Sequence, residues 1–145
     1  PNRSEAEVLA DMSITCERDI TTAANRILND LGPQVVIIKG GHIGEDATDY
    51  AFTKDGSVRT WTSPKYDTVH THGTGCTFSA VITAELAKGC DVMDAIGIAK
   101  DYIALAIKHN PGLGNGCGPV NHMAYGLLSN GPETMSELLK DDERR

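Results

Sequence analysis

The segment His72-Gly73-Thr74-Gly75-Cys76 runs directly into an apolar stretch, residues 77–87, with the composition of a helix. Two glycines let the backbone turn its N–H groups toward one point, and the helix behind them adds the positive end of its dipole. Such a junction is the construction of an anion cradle, although the same five residues also suit a Gly-rich turn followed by a buried cysteine. Cys76 falls in the first turn of that helix, where the field favours thiolate over thiol and makes it a candidate base or nucleophile.

The rest of the chain supplies helices and short strands in an order that suits an α/β domain. Residues 4–10 read as a short helix, with Glu5 and Glu7 in its early turns, where the dipole favours acids. Residues 19–31 read as a second helix: Asp19 caps it, Ile20, Ala23, Ala24, Ile27, Leu28 and Leu31 keep the 3.6 period, and Gly32-Pro33 stops it. Residues 34–39 contain Val35-Val36-Ile37-Ile38, a β-branched run without alternation that predicts a central strand covered on both faces. Residues 48–53 and 57–62 flank Lys54-Asp55-Gly56, whose Asp-Gly pair signals a hairpin. Residues 66–70 predict one more short strand leading into the glycine loop. In the helix after that loop, Phe78, Val81, Ile82 and Leu86 form a stripe closed by Lys88-Gly89. In the next, Val92, Ala95, Ile96, Ala99, Ile103 and Ala106 form another, ending near Asn110-Pro111-Gly112. Residues 112–119 carry four glycines, a loop able to approach a flat ligand closely or simply to connect. Residues 121–128 and 133–139 suit terminal helices, and residues 141–145 a frayed charged tail.

A chain of 145 residues, 40% hydrophobic and 23% charged, is expected to be one soluble α/β domain with a real core. No apolar run approaches the roughly 20 residues that cross a bilayer, and the first residues lack the basic and apolar regions of a signal peptide, so a cytoplasmic protein is expected. Cys16, Cys76, Cys90 and Cys117 lack CxxC spacing and predict reduced thiols rather than a disulfide framework or zinc knuckle. A net charge of −7 argues against nucleic acid or a membrane surface as partner, because polyanion binding needs a basic face. An acidic protein that binds phosphate does so locally, with amides, a few lysines and a divalent cation. The start at Pro1, with a chemically capable group almost at once, suggests a piece of something longer.

Three places combine into one constellation. Asn2 and Glu5 stand three residues apart at a helix start, where Glu5 suits a hydrated Mg²⁺ and a capping box suits it equally. Lys39-Gly40-Gly41-His42 puts a cation and a permissive turn at a strand end, the edge where open α/β sheets bind ligands. The Gly73-Thr74-Gly75-Cys76 loop adds the amides, and all three places are expected on one rim of one sheet.

The order PN-xx-E, VVIIKGGH, THGTGCTFSA and GLGNGCGPV resembles, from Pro1 to about Val120, the C-terminal half of the hydroxymethylpyrimidine and phosphomethylpyrimidine kinases of thiamine biosynthesis. These belong to the ribokinase-like superfamily. The resemblance implies the C-terminal portion of a three-layer α/β/α fold with a mostly parallel sheet, carrying the nucleotide half of a longer kinase. It implies ATP and Mg²⁺, with Asn2 and Glu5 serving Mg²⁺ and phosphates, Glu5 through water. It further implies Lys39 on the ATP phosphates, Gly73, Thr74 and Gly75 as anion hole, Cys76 as catalytic base, and Lys100 lining the nucleotide pocket. The small-molecule acceptor would be 4-amino-5-hydroxymethyl-2-methylpyrimidine and then its monophosphate, in an enzyme that is a homodimer at full length. Family members are close to twice this length, and the half that is absent here builds most of the acceptor pocket.

Rival readings stay open at this point. Pyridoxal kinases share the GTGC loop, and a nucleotide-binding fragment without catalysis would carry it too. A metal site of His70, His72 and Cys76 lacks a fourth ligand and leaves the glycines unexplained. His42, His109 and His122 stand isolated and read as satisfied or solvated, and Cys16, Cys90 and Cys117 as bystanders. Tyr50, Phe52 and Trp61 read as cross-strand packing, and Asp46 and Asp49 as solvated or strand-end caps. A chain cut in this way is expected to expose apolar surface and to associate.

Overall fold

The computed structural model describes residues 1–40 and 46–128, in two compact units, Pro1–Lys65 and Tyr66–Arg145. The expectations for Gly41 and His42, for a helix over 133–139 and for a tail over 141–145 lie outside the described residues. Among the described residues, no helix is long and apolar enough to cross a membrane.

The first unit is built on α1 (Arg3–Ala10), α2 (Glu17–Asp30) and the strands β1 (Val35–Ile38), β2 (Ala47–Thr53) and β3 (Val58–Ser63). Helix α2 starts two residues before Asp19. Cys16 is the N-cap, and the Asp19 carboxylate reaches back from the third helical position to the Thr15 amide (2.8 Å), the Thr15 hydroxyl (2.7 Å) and the Cys16 amide (3.1 Å). Its apolar stripe behaves as the period requires: Ile20, Ala23, Ala24, Ile27 and Leu28 are buried together with Ala6, Ala10, Ile14, Val36, Ile38 and Phe52. Leu31, the last member of the predicted stripe, is 59% exposed because α2 ends before it.

The sheet order is β1-β2-β3, antiparallel throughout, with Val36 opposite Phe52 and Tyr50 opposite Thr60. The expected hairpin forms, with Gly56 at φ 88° and the Asp55 carboxylate accepting from the Ser57 amide at 3.0 Å. A mostly parallel sheet does not emerge from these strands. The short Asp-Gly connection forces β2 and β3 antiparallel, whereas parallel neighbours need a long crossover. Parallel pairing among the described residues is confined to two isolated bridges, Asn2 with Lys39 and His72 with Pro119. β1 also alternates, Val36 and Ile38 buried and Val35 and Ile37 half-buried, so only one of its faces is covered within this unit.

The second unit consists of α3 (Thr74–Ala87), α4 (Val92–Lys108) and α5 (Ala124–Leu128), with α4 packed on both others. The predicted α4 stripe is buried at Ala95, Ile96, Ala99, Ile103 and Ala106 and half-buried at Val92. Lys100, Ala104 and Leu105 are buried as well, so α4 is covered around most of its circumference. The α3 stripe is different: Phe78 is buried, Val81 and Ile82 are half-buried, and Leu86 is 44% exposed. Residues 66–70 form no strand. Their amides are used locally, Thr68 donating to the Tyr66 carbonyl, His70 to the Thr68 hydroxyl and Thr71 to the Val69 carbonyl, which consumes the groups a ladder would need. The predicted helix over 121–128 shortens to α5, because His122 and Met123 form a turn in which the Asn121 side chain accepts from the Met123 amide at 3.0 Å.

Candidate functional site

In the first unit, Asn2, Glu5 and Lys39 come together through backbone geometry. Asn2 caps α1: its side-chain oxygen accepts from the Glu5 amide at 2.9 Å, and its own amide donates to the Glu5 carboxylate at 2.6 Å. That donation, helped by nearby Lys39, holds the Glu5 carboxyl below the usual carboxylate range. The capping box uses one oxygen of each side chain. Among the described residues, no group engages the other Glu5 oxygen or the Asn2 side-chain N–H donors, so the cap and a ligand role are compatible. Lys39 enters because its amide donates to the Pro1 carbonyl at 2.8 Å, one residue beyond β1. Its position depends on Gly40: a Cβ there would collide with the Thr48 backbone oxygen, and the Gly40 amide donates to the buried Asp49 carboxylate at 2.9 Å. Asp49 is thus a strand-end cap, and the glycine is needed for close backbone approach.

In the second unit, α3 begins inside the glycine loop rather than after it. Gly73 is the N-cap at φ 88°, a conformation that favours glycine, and Thr74, Gly75 and Cys76 are the first three helical residues. The Thr74 hydroxyl donates to the Thr71 carbonyl at 2.7 Å, and the Thr77 amide to the Gly73 carbonyl at 2.9 Å. Between them, the Gly75 and Cys76 amides have no acceptor among the described residues. Two adjacent N–H groups at the positive end of a 14-residue helix, with no protein group to satisfy them, suit an anionic oxygen. Cys76 is an exposed free thiol at the same turn. Lys100 lies in the same unit but is only 6% exposed.

Among the described residues, no three His, Cys, Asp or Glu side chains gather as a metal site. His70 Nδ1 is buried without a hydrogen-bond partner among the described residues and faces Gly118, where a Cβ would strike this nitrogen and the Leu113 carbonyl. At that point the glycine-rich loop uses its freedom to pack against protein. Cys117 carried no motif, yet hydrogen bonds from the backbone and hydroxyl of Thr71 lower the pKa of its exposed thiol below the ordinary value. His122, equally unmarked in sequence, has its Nε2 2.9 Å from the Thr77 hydroxyl. Contacts of this kind join residues some 45 positions apart, and neither periodicity nor a motif announces them.

The chain is 50% identical over 127 residues to a hydroxymethylpyrimidine/phosphomethylpyrimidine kinase of Staphylococcus aureus, covering 86% of this chain and 46% of that protein. It thus spans about half the length of the curated relatives it matches. Among solved structures it resembles a Bacillus subtilis pyridoxal kinase in an ADP complex, with a TM-score of 0.81 and 42% identity over 88% of this chain and 48% of that one. It also resembles a Staphylococcus aureus pyridoxal kinase in complex with AMP-PCP and pyridoxal, with a TM-score of 0.82 and 34% identity over 88% and 48%. The sequence profile of the phosphomethylpyrimidine kinases matches residues 1–121, and the chain belongs to that family.

Proposed function

We propose that this chain is the nucleotide-binding half of a longer kinase that phosphorylates 4-amino-5-hydroxymethyl-2-methylpyrimidine and then its monophosphate. The observation that carries the reading is the pair of unpartnered amides at Gly75 and Cys76, on the N-terminus of α3, in a chain of this family. ATP supplies the phosphoryl group. The Gly73-Thr74-Gly75 turn forms the hole that receives its negative oxygens, the donors being the Gly75 amide and that of Cys76 beside it, since the Thr74 amide is taken by the Thr71 carbonyl at 3.3 Å; Lys39 and Asn2 bind phosphate, and Lys100 lines the nucleotide pocket. Glu5 holds Mg²⁺ through water with its free oxygen, the arrangement that a lone carboxylate suits. Cys76 as thiolate takes the proton from the acceptor hydroxyl: its S–H bond forms while the O–H bond breaks, that oxygen bonds to the γ-phosphorus, and the bond from this phosphorus to the β–γ bridging oxygen breaks so that ADP leaves.

The chain is part of one α/β domain that the longer protein completes into a three-layer fold with a mostly parallel sheet. The parallel bridge between Asn2 and Lys39, one residue beyond β1, supports the parallel pairing. The complete protein works in the cytoplasm as a homodimer, without nucleic-acid or membrane partners.

Calorimetry with ATP, with and without Mg²⁺, tests the nucleotide site. Binding that requires Mg²⁺ and is lost in Gly75→Asp, which puts a carboxylate into the hole, is the expected result; no binding under any condition overturns the reading for this chain. In the longer protein, Cys76→Ala is expected to lower turnover by about 10²–10⁴-fold with ATP affinity retained, and unaltered turnover would mean a different base. A second acceptor, pyridoxal, is favoured by the similarity to two pyridoxal kinases. Product formation with pyridoxal and the two pyrimidines side by side separates the readings.

A further inference from the structure

Beyond Thr74, helix α3 holds three hydroxyl side chains that invite comparison. The Ser79 hydroxyl donates to the Gly75 carbonyl at 3.1 Å and the Thr83 hydroxyl to the Ser79 carbonyl at 2.9 Å, the usual back-bonding of such residues to the preceding turn. Thr77 departs from this pattern. Its side chain is nearly buried, and its hydroxyl shares a 2.9 Å hydrogen bond with His122 Nε2, leaving the Gly73 carbonyl to the Thr77 amide alone.

His122 is itself anchored to the most buried helix of the unit. Its carbonyl accepts from the Tyr102 hydroxyl of α4 at 2.5 Å, and Tyr102 stacks on Tyr125 of α5 with ring centroids 5.0 Å apart. The preceding residue is pinned at two points: the Asn121 amide donates to the Ala106 carbonyl and its side chain to the His109 carbonyl, both at 2.9 Å. The chain leading there is tied to the anion loop as well, His72 donating to the Gly118 carbonyl at 3.0 Å and Val120 to the His72 carbonyl at 3.2 Å. One side chain therefore connects a fixed framework to the helical turn that follows the unpartnered amides.

We infer that His122 is a positioning residue: through Thr77 it fixes the orientation of the first turn of α3, so that the Gly75 and Cys76 amides converge on a phosphate oxygen. The inference rests on the reading that this turn receives phosphate. Without the clamp, the turn keeps the Thr74 hydroxyl's bond to the Thr71 carbonyl and the buried Phe78 but loses its tie to the framework around His122, and its amides lose part of the preorganisation that makes them worth more than water.

Two measurements on His122→Ala, His122→Gln, Thr77→Val and the Thr77→Val/His122→Ala pair test it. Hydrogen exchange on the nucleotide-free chain reads the clamp directly. Exchange over residues 77–80 is expected to quicken about three- to tenfold in either alanine or valine variant, the value of one hydrogen bond, with little further change in the pair. Unchanged exchange over residues 95–106 shows that the effect is local, and His122→Gln, which can still reach the hydroxyl, is expected to recover most of the loss. ATP affinity with Mg²⁺ should fall in the same order and by a similar factor. Wild-type exchange in His122→Ala, independent effects that multiply in the pair, or altered exchange with unaltered ATP affinity would each overturn the positioning role. A wild-type chain that binds no ATP while its exchange depends on His122 would instead overturn the phosphate reading on which the role rests.

Discussion

A carboxylate that accepts three hydrogen bonds is a different acid from one in water. Asp19 accepts from the Thr15 amide and hydroxyl and the Cys16 amide, and these bonds lower its pKa to about 2. A depressed folded pKa means that the ion is favoured by folding. The contribution is complete above the unfolded value near 3.9 and is lost as pH falls through the folded value of about 2. Melting between pH 4 and pH 2 should therefore show a loss of stability that Asp19→Asn lacks, and a carbon-13 titration of the Asp19 carboxyl should place its midpoint well below that of a free aspartate. Cys117 offers a second residue-level test. Its thiol is held low by Thr71, so peptide-resolved alkylation should give a pH midpoint below the ordinary thiol range, and a midpoint of about 8.5 or higher would contradict the geometry.

Elements in this chain owe their ends to single backbone contacts. β1 stops where Gly40 passes under the Thr48 carbonyl, and Gly40→Ala must push the strand away from β2 to relieve the collision. A cost of about 1–3 kcal/mol is expected in urea unfolding, as for other overpacked sites, with weaker ATP binding because Lys39 precedes the displaced residue. A variant as stable as the wild type would show that the turn relaxes freely. The existence and type of the helices were legible from periodicity and stop signals, and the hairpin from its Asp-Gly turn. The starts were less so: α2 begins at Glu17 because Asp19 caps from inside the helix, and α3 begins at Thr74 because Gly73 takes the left-handed cap. Residues 66–70 have strand-like composition, but their own hydroxyl and carbonyl groups satisfy the amides first.

On the scale of the whole chain, exposed apolar side chains remain in both units: Val8 at 81% and Leu31 at 59% in the first, Met123 at 66% and Leu86 at 44% in the second. With the chain spanning about half of its relatives, such surface is expected to drive association of the isolated chain. Native mass spectrometry across a dilution series should show species above the monomer. A monomer that stays soluble and alone at high concentration would contradict this. The candidate site was legible piece by piece, since Asn2-x-x-Glu5, Lys39-Gly40 and the Gly73–Cys76 loop each carry a local rationale. Joining Lys39 to Asn2 and Glu5 took the parallel bridge.

What the sequence determined by itself is whatever depends on neighbours along the chain: helical stripes, turn chemistry, the amide-bearing loop and the order of motifs that marks the family. Tertiary structure alone decided which groups those elements satisfy and which they leave open. It spent Asp49 on Gly40, turned Thr77 from its own helix to His122, and left the Gly75 and Cys76 amides without a partner among the described residues. The physical reason is that hydrogen bonds are short and directional, so a side chain's partner is set by what folding brings within about 3 Å of it, a distance on which spacing in sequence has no bearing.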